Sequence, residues 1–112
     1  MTLFEKIAAG KIPADIVYET DDMLAFRDVN PQAPVHVLVV PKRVIPRLAQ
    51  AKPVDESMLG KLLLAAAKVA ADLGLAAGGY RVVINNGPDA GETVPHLHLH
   101  VLGGRPLAWP PG

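Results

Sequence analysis

Residues 96–102 read His-Leu-His-Leu-His-Val-Leu. Strict alternation marks an extended strand, because successive strand side chains point to opposite faces. His96, His98 and His100 then form one row, with neighbours about 7 Å apart. Leu97, Leu99 and Val101 face the other way, into the core. A single segment therefore predicts both a strand and an array of imidazoles on one side of a sheet.

Outward from it, residues 85–91 (NNGPDAG) form a glycine-containing loop and residues 80–84 (YRVVI) a strand before it. Residues 105–112 (RPLAWPPG) hold three prolines and should be extended, without internal hydrogen bonds. Residues 55–73 read as the one long helix. Met58, Leu59, Leu62, Leu63, Ala66, Val69, Ala70 and Leu73 recur at helical spacing, with Lys61, Lys68 and Asp72 off the stripe. Asp55 suits the N-cap and Gly74 the residue past the C-cap. Gly60 costs about 1 kcal/mol against alanine, which close approach of another backbone would offset.

Farther upstream, residues 36–40 (HVLVV), closed by Pro41, are a buried strand, and residues 30–34 (NPQAP) a rigid loop. Residues 15–19 and 23–27 are two strands joined at Thr-Asp-Asp, 20–22. Thr2 and Glu5 make a capping box for a short helix with Phe4 and Ile7 on one face, ending near Gly10, and Pro13 forbids its continuation. Helix, three strands, long helix and two strands give an α+β domain on a mainly antiparallel five-stranded sheet.

The 112 residues suit one domain, 1–112. Eleven basic residues balance eleven acidic ones, which argues against a general nucleic-acid binder. The absence of cysteine excludes a disulfide framework and thiolate metal sites, and fits a cytoplasmic protein. Residues 1–13 lack the apolar run of a signal peptide. Residues 58–75 are interrupted by Lys61, Lys68 and Asp72, so no membrane span is expected.

The histidine row admits three readings. It could be a solvated face. It could be a zinc set of three imidazoles with one open position, although three residues on a straight strand span about 13 Å, far for one ion with bonds near 2 Å. His36 could then replace an end member. The third reading is nucleophilic and acid–base chemistry: near neutral pH one ring can attack while a neighbour donates hydrogen bonds or relays a proton. Phosphorus suits this, because charge develops on oxygens that fixed donors can hold. Asn85, Gly91 and Thr93 sit just upstream, where glycine lets backbone N–H groups approach an anion and the other two add side-chain donors. His36, opening an apolar strand, is either a satisfied structural histidine or a support for the others.

The motif at 96–102 resembles the signature of the histidine triad (HIT) superfamily. The resemblance extends through Phe-Glu-Lys-Ile at 4–7, Lys-Ile-Pro-Ala at 11–14, Leu-Ala-Phe at 24–26, Pro-Gln-Ala-Pro at 31–34, Ala-Asp-Leu-Gly-Leu at 71–75, Gly-Tyr-Arg at 79–81, His-Val-Leu-Gly-Gly-Arg at 100–105 and Trp-Pro-Pro-Gly at 109–112. These blocks are similar to the Hint branch. That resemblance implies hydrolysis of the P–N bond in purine nucleoside phosphoramidates, derivatives of AMP and GMP, with no cofactor and no metal. His98 would be the nucleophile and His100 would bond the phosphate oxygens. His96 and His36 would orient and relay protons. Asn85, Gly91 and Thr93 would line the phosphate subsite, Asp28 would hold the ribose hydroxyls, and Phe4, Ile12, Phe26 and Val29 would form the base slot. It also implies a homodimer with a sheet continuous across the twofold, long helices packed together and Trp109 reaching the partner's site.

Four positions depart from the common pattern: Glu92 stands where glutamine is frequent, Thr93 for serine, Pro95 for a larger residue, and Arg27 where animal members carry histidine. Glu92 places an anion near the phosphate. Competing readings are a zinc-dependent hydrolase, a nucleoside polyphosphate hydrolase of the Fhit branch, and a non-catalytic nucleotide-binding module.

Overall fold

The computed structural model describes all 112 residues. In chain order the elements are α1 (Leu3–Ala8), β1 (Ile16–Glu19), β2 (Met23–Arg27), β3 (Val35–Pro41), α2 (Glu56–Asp72), β4 (Tyr80–Val83) and β5 (Leu99–Gly103). Single 3-10 turns lie at Leu48–Gln50, Pro53–Asp55 and Pro88–Ala90. The sheet runs β1-β2-β3-β5-β4, and every neighbouring pair is antiparallel. This is the expected α+β architecture. No helix is long and apolar enough to cross a membrane.

Both faces of the central strands are covered, which is why β2 and β3 read as unbroken apolar runs. Met23, Ala25, Val37, Val39, Leu99 and Val101 pack beneath α2. Leu24, Phe26, Leu38 and Val40 pack with Phe4 and Ile7 of α1 on the opposite face. His36 and His100 belong by alternation to this second face. The capping box holds α1: the Thr2 hydroxyl accepts the Glu5 N–H and the Glu5 carboxylate accepts the Thr2 N–H.

The long helix differs in detail from its sequence reading. Its buried stripe is Leu62, Ala65, Ala66, Val69 and Ala70, while Leu63 and Leu64 are exposed. Met58, Leu59 and Leu73 of the expected stripe are partly buried against the same core, so the phase holds and only Leu63 falls off it. Asp55 precedes it without capping it; its buried carboxylate accepts the Lys52 N–H and pairs with Arg43. Gly60 meets no other backbone, since a methyl placed there would have nothing within 4 Å.

The last strand begins at Leu99, so His96 and His98 precede it. The register explains why. Val39 pairs with Leu99, so Pro41 would face Leu97, and proline has no N–H to donate. The Pro41 carbonyl accepts from His96 Nε2 instead. Leu97 is held outside the ladder by its N–H donating to the Ile45 carbonyl at 2.6 Å. Alternation survives: Leu97 is buried beneath α2 with Leu99 and Val101. Residues 15 and 84 likewise fall just outside the strands. The C-terminal tail forms no internal backbone ladder, yet it is tied down, with Arg81 donating to the Ala108 carbonyl and Arg105 to that of Gln32.

Candidate active site

Four histidines and a phenylalanine form a continuous aromatic row. His36 and His100 have ring centroids 5.1 Å apart, His100 and His98 5.0 Å, His98 and Phe4 5.0 Å, and Phe4 and His96 5.5 Å. The rings are therefore closer than the spacing along an ideal strand. Phe4 of α1 reaches both His96 and His98. His36 and His100 are diagonal neighbours on adjacent strands, a placement fixed by the pairing of Leu38 with His100.

Hydrogen-bond partners assign a tautomer to each ring. His96 Nε2 lies 2.7 Å from the Pro41 carbonyl, and His98 Nδ1 lies 2.7 Å from the His96 carbonyl. A carbonyl only accepts, so both nitrogens carry hydrogen. Neutral His96 then accepts at Nδ1, where the Thr2 hydroxyl lies at 2.7 Å. The Gln32 N–H donates to His36 Nδ1 at 3.1 Å, which puts the His36 hydrogen on Nε2, 2.8 Å from His100 Nδ1. His100 accepts there, and in its neutral form carries its own hydrogen on Nε2.

Two ring nitrogens are left over: a lone pair on His98 Nε2 and an N–H on His100 Nε2. No buried side-chain polar atom lacks a partner, so both reach solvent. A nucleophile and a hydrogen-bond donor thus stand side by side. The electrostatics keep the supporting rings neutral. Burial lowers the pKa of His100 to about 4, aided by the positive charges that His98 and His36 would carry and opposed by Asp28. Burial also lowers His96, against the Pro41 carbonyl and Glu5. It lowers His36, against the Asp28 carboxylate.

Of the other sequence candidates, Asp28 is mostly buried, with one oxygen accepting the Asn30 N–H and the other 3.5 Å from His36 Nε2. Phe4 and Phe26 touch at 5.5 Å and Ile12 packs against them, whereas Val29 is exposed. Asn85 is half-buried, and Gly91 and Thr93 are exposed. Gly87 and Gly91 take φ of 87° and 82°, a conformation that favours glycine. Trp109 is exposed.

The ligand-type atoms best gathered for a metal are those of Asp28, His36 and His100, all within 4.8 Å of one another. This is not the three-histidine set weighed from sequence. The two rings share a 2.8 Å hydrogen bond, shorter than the separation of about 3.3 Å that tetrahedral zinc needs between ligands at its usual bond length.

Three contacts had no sequence signal as site features. Thr2 announced itself only as a helix cap. The Pro41 carbonyl is a backbone group. Arg47 binds Glu92 across 45 positions of sequence, turning that carboxylate away from open solvent.

A HIT domain family model matches residues 9–107. An uncharacterized HIT-like protein of Synechocystis sp. is 61% identical over 111 residues, covering 99% of this chain and 96% of its own. The crystal structure of a HIT family hydrolase from Legionella pneumophila is similar at a TM-score of 0.98 and 46% identity, with 100% of both chains covered. That of a histidine triad nucleotide-binding protein from Candida albicans gives 0.83 at 30% identity, covering 98% of this chain and 83% of that one.

Proposed function

The chain belongs to the HIT domain family, and on that footing we propose that it is a Hint-type hydrolase of purine nucleoside phosphoramidates, acting through a nucleotidyl-histidine at His98. The observation that carries this reading is the unshared lone pair of His98 Nε2 beside the unshared N–H of His100 Nε2.

His98 Nε2 attacks phosphorus as the P–N bond breaks, and the amine leaves carrying one proton drawn from solvent. The His98 ring becomes cationic, keeping its Nδ1–H on the His96 carbonyl. His100 Nε2–H holds a phosphoryl oxygen, where charge develops. Water then attacks phosphorus, the bond to Nε2 breaks, and one proton is released with the nucleoside monophosphate. His36 and Asp28 fix the His100 tautomer, and Thr2 and Pro41 fix that of His96. Asn85, Gly91 and Thr93 line the phosphate subsite, Asp28 also faces the ribose, and Phe4, Ile12, Phe26 and Val29 receive the purine of AMP or GMP. No metal or cofactor takes part.

The reading extends to assembly. Residues 1–112 act as one HIT domain that pairs into a cytoplasmic homodimer with a continuous sheet. Exposed Leu63 and Leu64, the open space over Gly60 and exposed Trp109 support burial by a second copy. Sedimentation equilibrium should give twice the chain mass.

Rapid mixing with adenosine phosphoramidate followed by mass spectrometry tests the chemistry. An AMP adduct on His98 is expected. Turnover with the adduct on another residue, or faster hydrolysis of a diadenosine polyphosphate, contradicts it.

A further inference from the structure

Residues 41–50 run as a backing strip along residues 86–97. The Pro41 carbonyl accepts from His96 Nε2 at 2.7 Å and the Ile45 carbonyl accepts the Leu97 N–H at 2.6 Å. The Ala49 N–H donates to Asn86 Oδ1 at 2.8 Å. Between these, Arg47 meets Glu92 in the strip's one ion pair with that segment. Arg47 Nε lies 3.0 and 3.2 Å from the two carboxylate oxygens, and a terminal nitrogen lies 3.0 Å from one of them. The other terminal nitrogen donates to Gln50 at 2.9 Å.

Glu92 also closes the loop in front of it. Its Oε1 accepts the Gly87 N–H at 3.1 Å and its own N–H donates to the Gly87 carbonyl at 3.2 Å. One residue therefore joins both ends of the turn carrying Gly91 and anchors that turn to Arg47. The Glu92 side chain is only 12% exposed and that of Arg47 29%. Fork geometry and low exposure separate this pair from ordinary surface ion pairs, and losing one partner would strand a charge. Arg47, the Gly87 N–H and, more weakly, a charged His98 hold the Glu92 carboxyl below its usual range.

We propose that Glu92, by accepting the Gly87 N–H, closes the loop at 87–93 for phosphate, and that Arg47 is a positioning partner that cancels the Glu92 carboxylate charge, which would otherwise repel the phosphate. The inference rests on the reading of this site as the subsite for a nucleotide phosphate. Neither residue touches the reacting atoms. Arg47 acts through Glu92, and Glu92 through the loop.

The test is a charge cycle read by AMP affinity. Arg47→Met leaves the carboxylate unpaired beside the phosphate, and AMP should bind about tenfold or more weakly. Adding Glu92→Gln removes the stranded charge while keeping an acceptor for the Gly87 N–H. The double variant should return to within about threefold of the parent. Glu92→Gln alone frees the Arg47 charge and should bind AMP as well or better. In turnover, the Arg47→Met loss should fall on KM, with kcat changed less than about threefold.

A purely structural brace predicts a double variant at least as weak as the single, and that result overturns the proposal. So does unchanged AMP binding in Arg47→Met. Arg47→Gln, run in parallel with thermal melts, carries the test should the methionine variant not fold. A tenfold loss in Glu92→Gln alone overturns it independently. Unmodified protein with no calorimetric AMP binding at millimolar nucleotide overturns the phosphate reading, and this inference with it.

Discussion

Thr2→Val removes one hydroxyl and nothing of the side chain's shape. That hydroxyl has two partners: it accepts the Glu5 N–H at 3.0 Å and donates to His96 Nδ1 at 2.7 Å. The first is a helix cap, and its loss costs about 1 kcal/mol. The second serves a ring with 0% exposure. His96 Nε2 is committed to the Pro41 carbonyl, so the ring cannot change tautomer without losing that bond instead. Leaving a buried acceptor unpaired costs about 1–3 kcal/mol. The sum is about 2–4 kcal/mol, a fall in Tm of roughly 6–20 °C for a domain of this size.

Thermal unfolding followed by circular dichroism at pH 7.5 and fixed protein concentration measures it, with Thr2→Ser as the control that retains both bonds. Serine should stay within about 1 kcal/mol of the parent. A valine variant that loses no more than an ordinary cap would refute the assignment of Thr2 to His96, and with it the tautomer chain beginning there.

The remaining predictions concern pH and chemistry. His100 is pushed down to about 4 by burial, so in the window below pH 6.5 the unfolded chain takes its proton first. The stabilisation is complete above about 6.5 and is lost as pH falls toward 4, on the order of 3 kcal/mol for this residue, with His36 and His96 adding in the same direction. His100→Gln should flatten that stretch of the Tm-versus-pH curve, and an unchanged slope would contradict the burial argument. His98→Ala should lose at least about a thousandfold in phosphoramidate turnover with Tm within a few degrees of the parent. Asp28→Asn should raise KM for ribonucleotide more than for the 2′,3′-dideoxy analogue, by about tenfold. Exhaustive chelation should leave kcat/KM unchanged, and restoration of lost activity by zinc would favour the metal reading.

How much of this was legible in sequence depended on range. Alternation at 96–102 placed the imidazoles and leucines on opposite sides correctly, because side-chain period survives where the ladder does not. Thr2 and Glu5 announced their cap because its partners lie three residues apart. The bond from Thr2 to His96 spans 94 positions and the pair of Arg47 with Glu92 spans 45; no local pattern encodes such contacts. The long helix kept its expected phase, with Met58, Leu59, Leu62, Ala66, Val69, Ala70 and Leu73 all on the core, and only Leu63 misassigned, because an exposed leucine beside a buried one leaves no local signal.

The early end of the ladder bears on the chemistry as well as on strand boundaries. Pairing with β3 stops at Leu99, and the His96 carbonyl receives no backbone N–H. That carbonyl is then available to the ring two residues on, and it accepts from His98 Nδ1. The sequence presents three equivalent imidazoles; the backbone makes them unequal. His36 and His96 use both nitrogens within the chain, and His100 turns a hydrogen outward. Only His98 turns out a lone pair, and a nucleophile needs one.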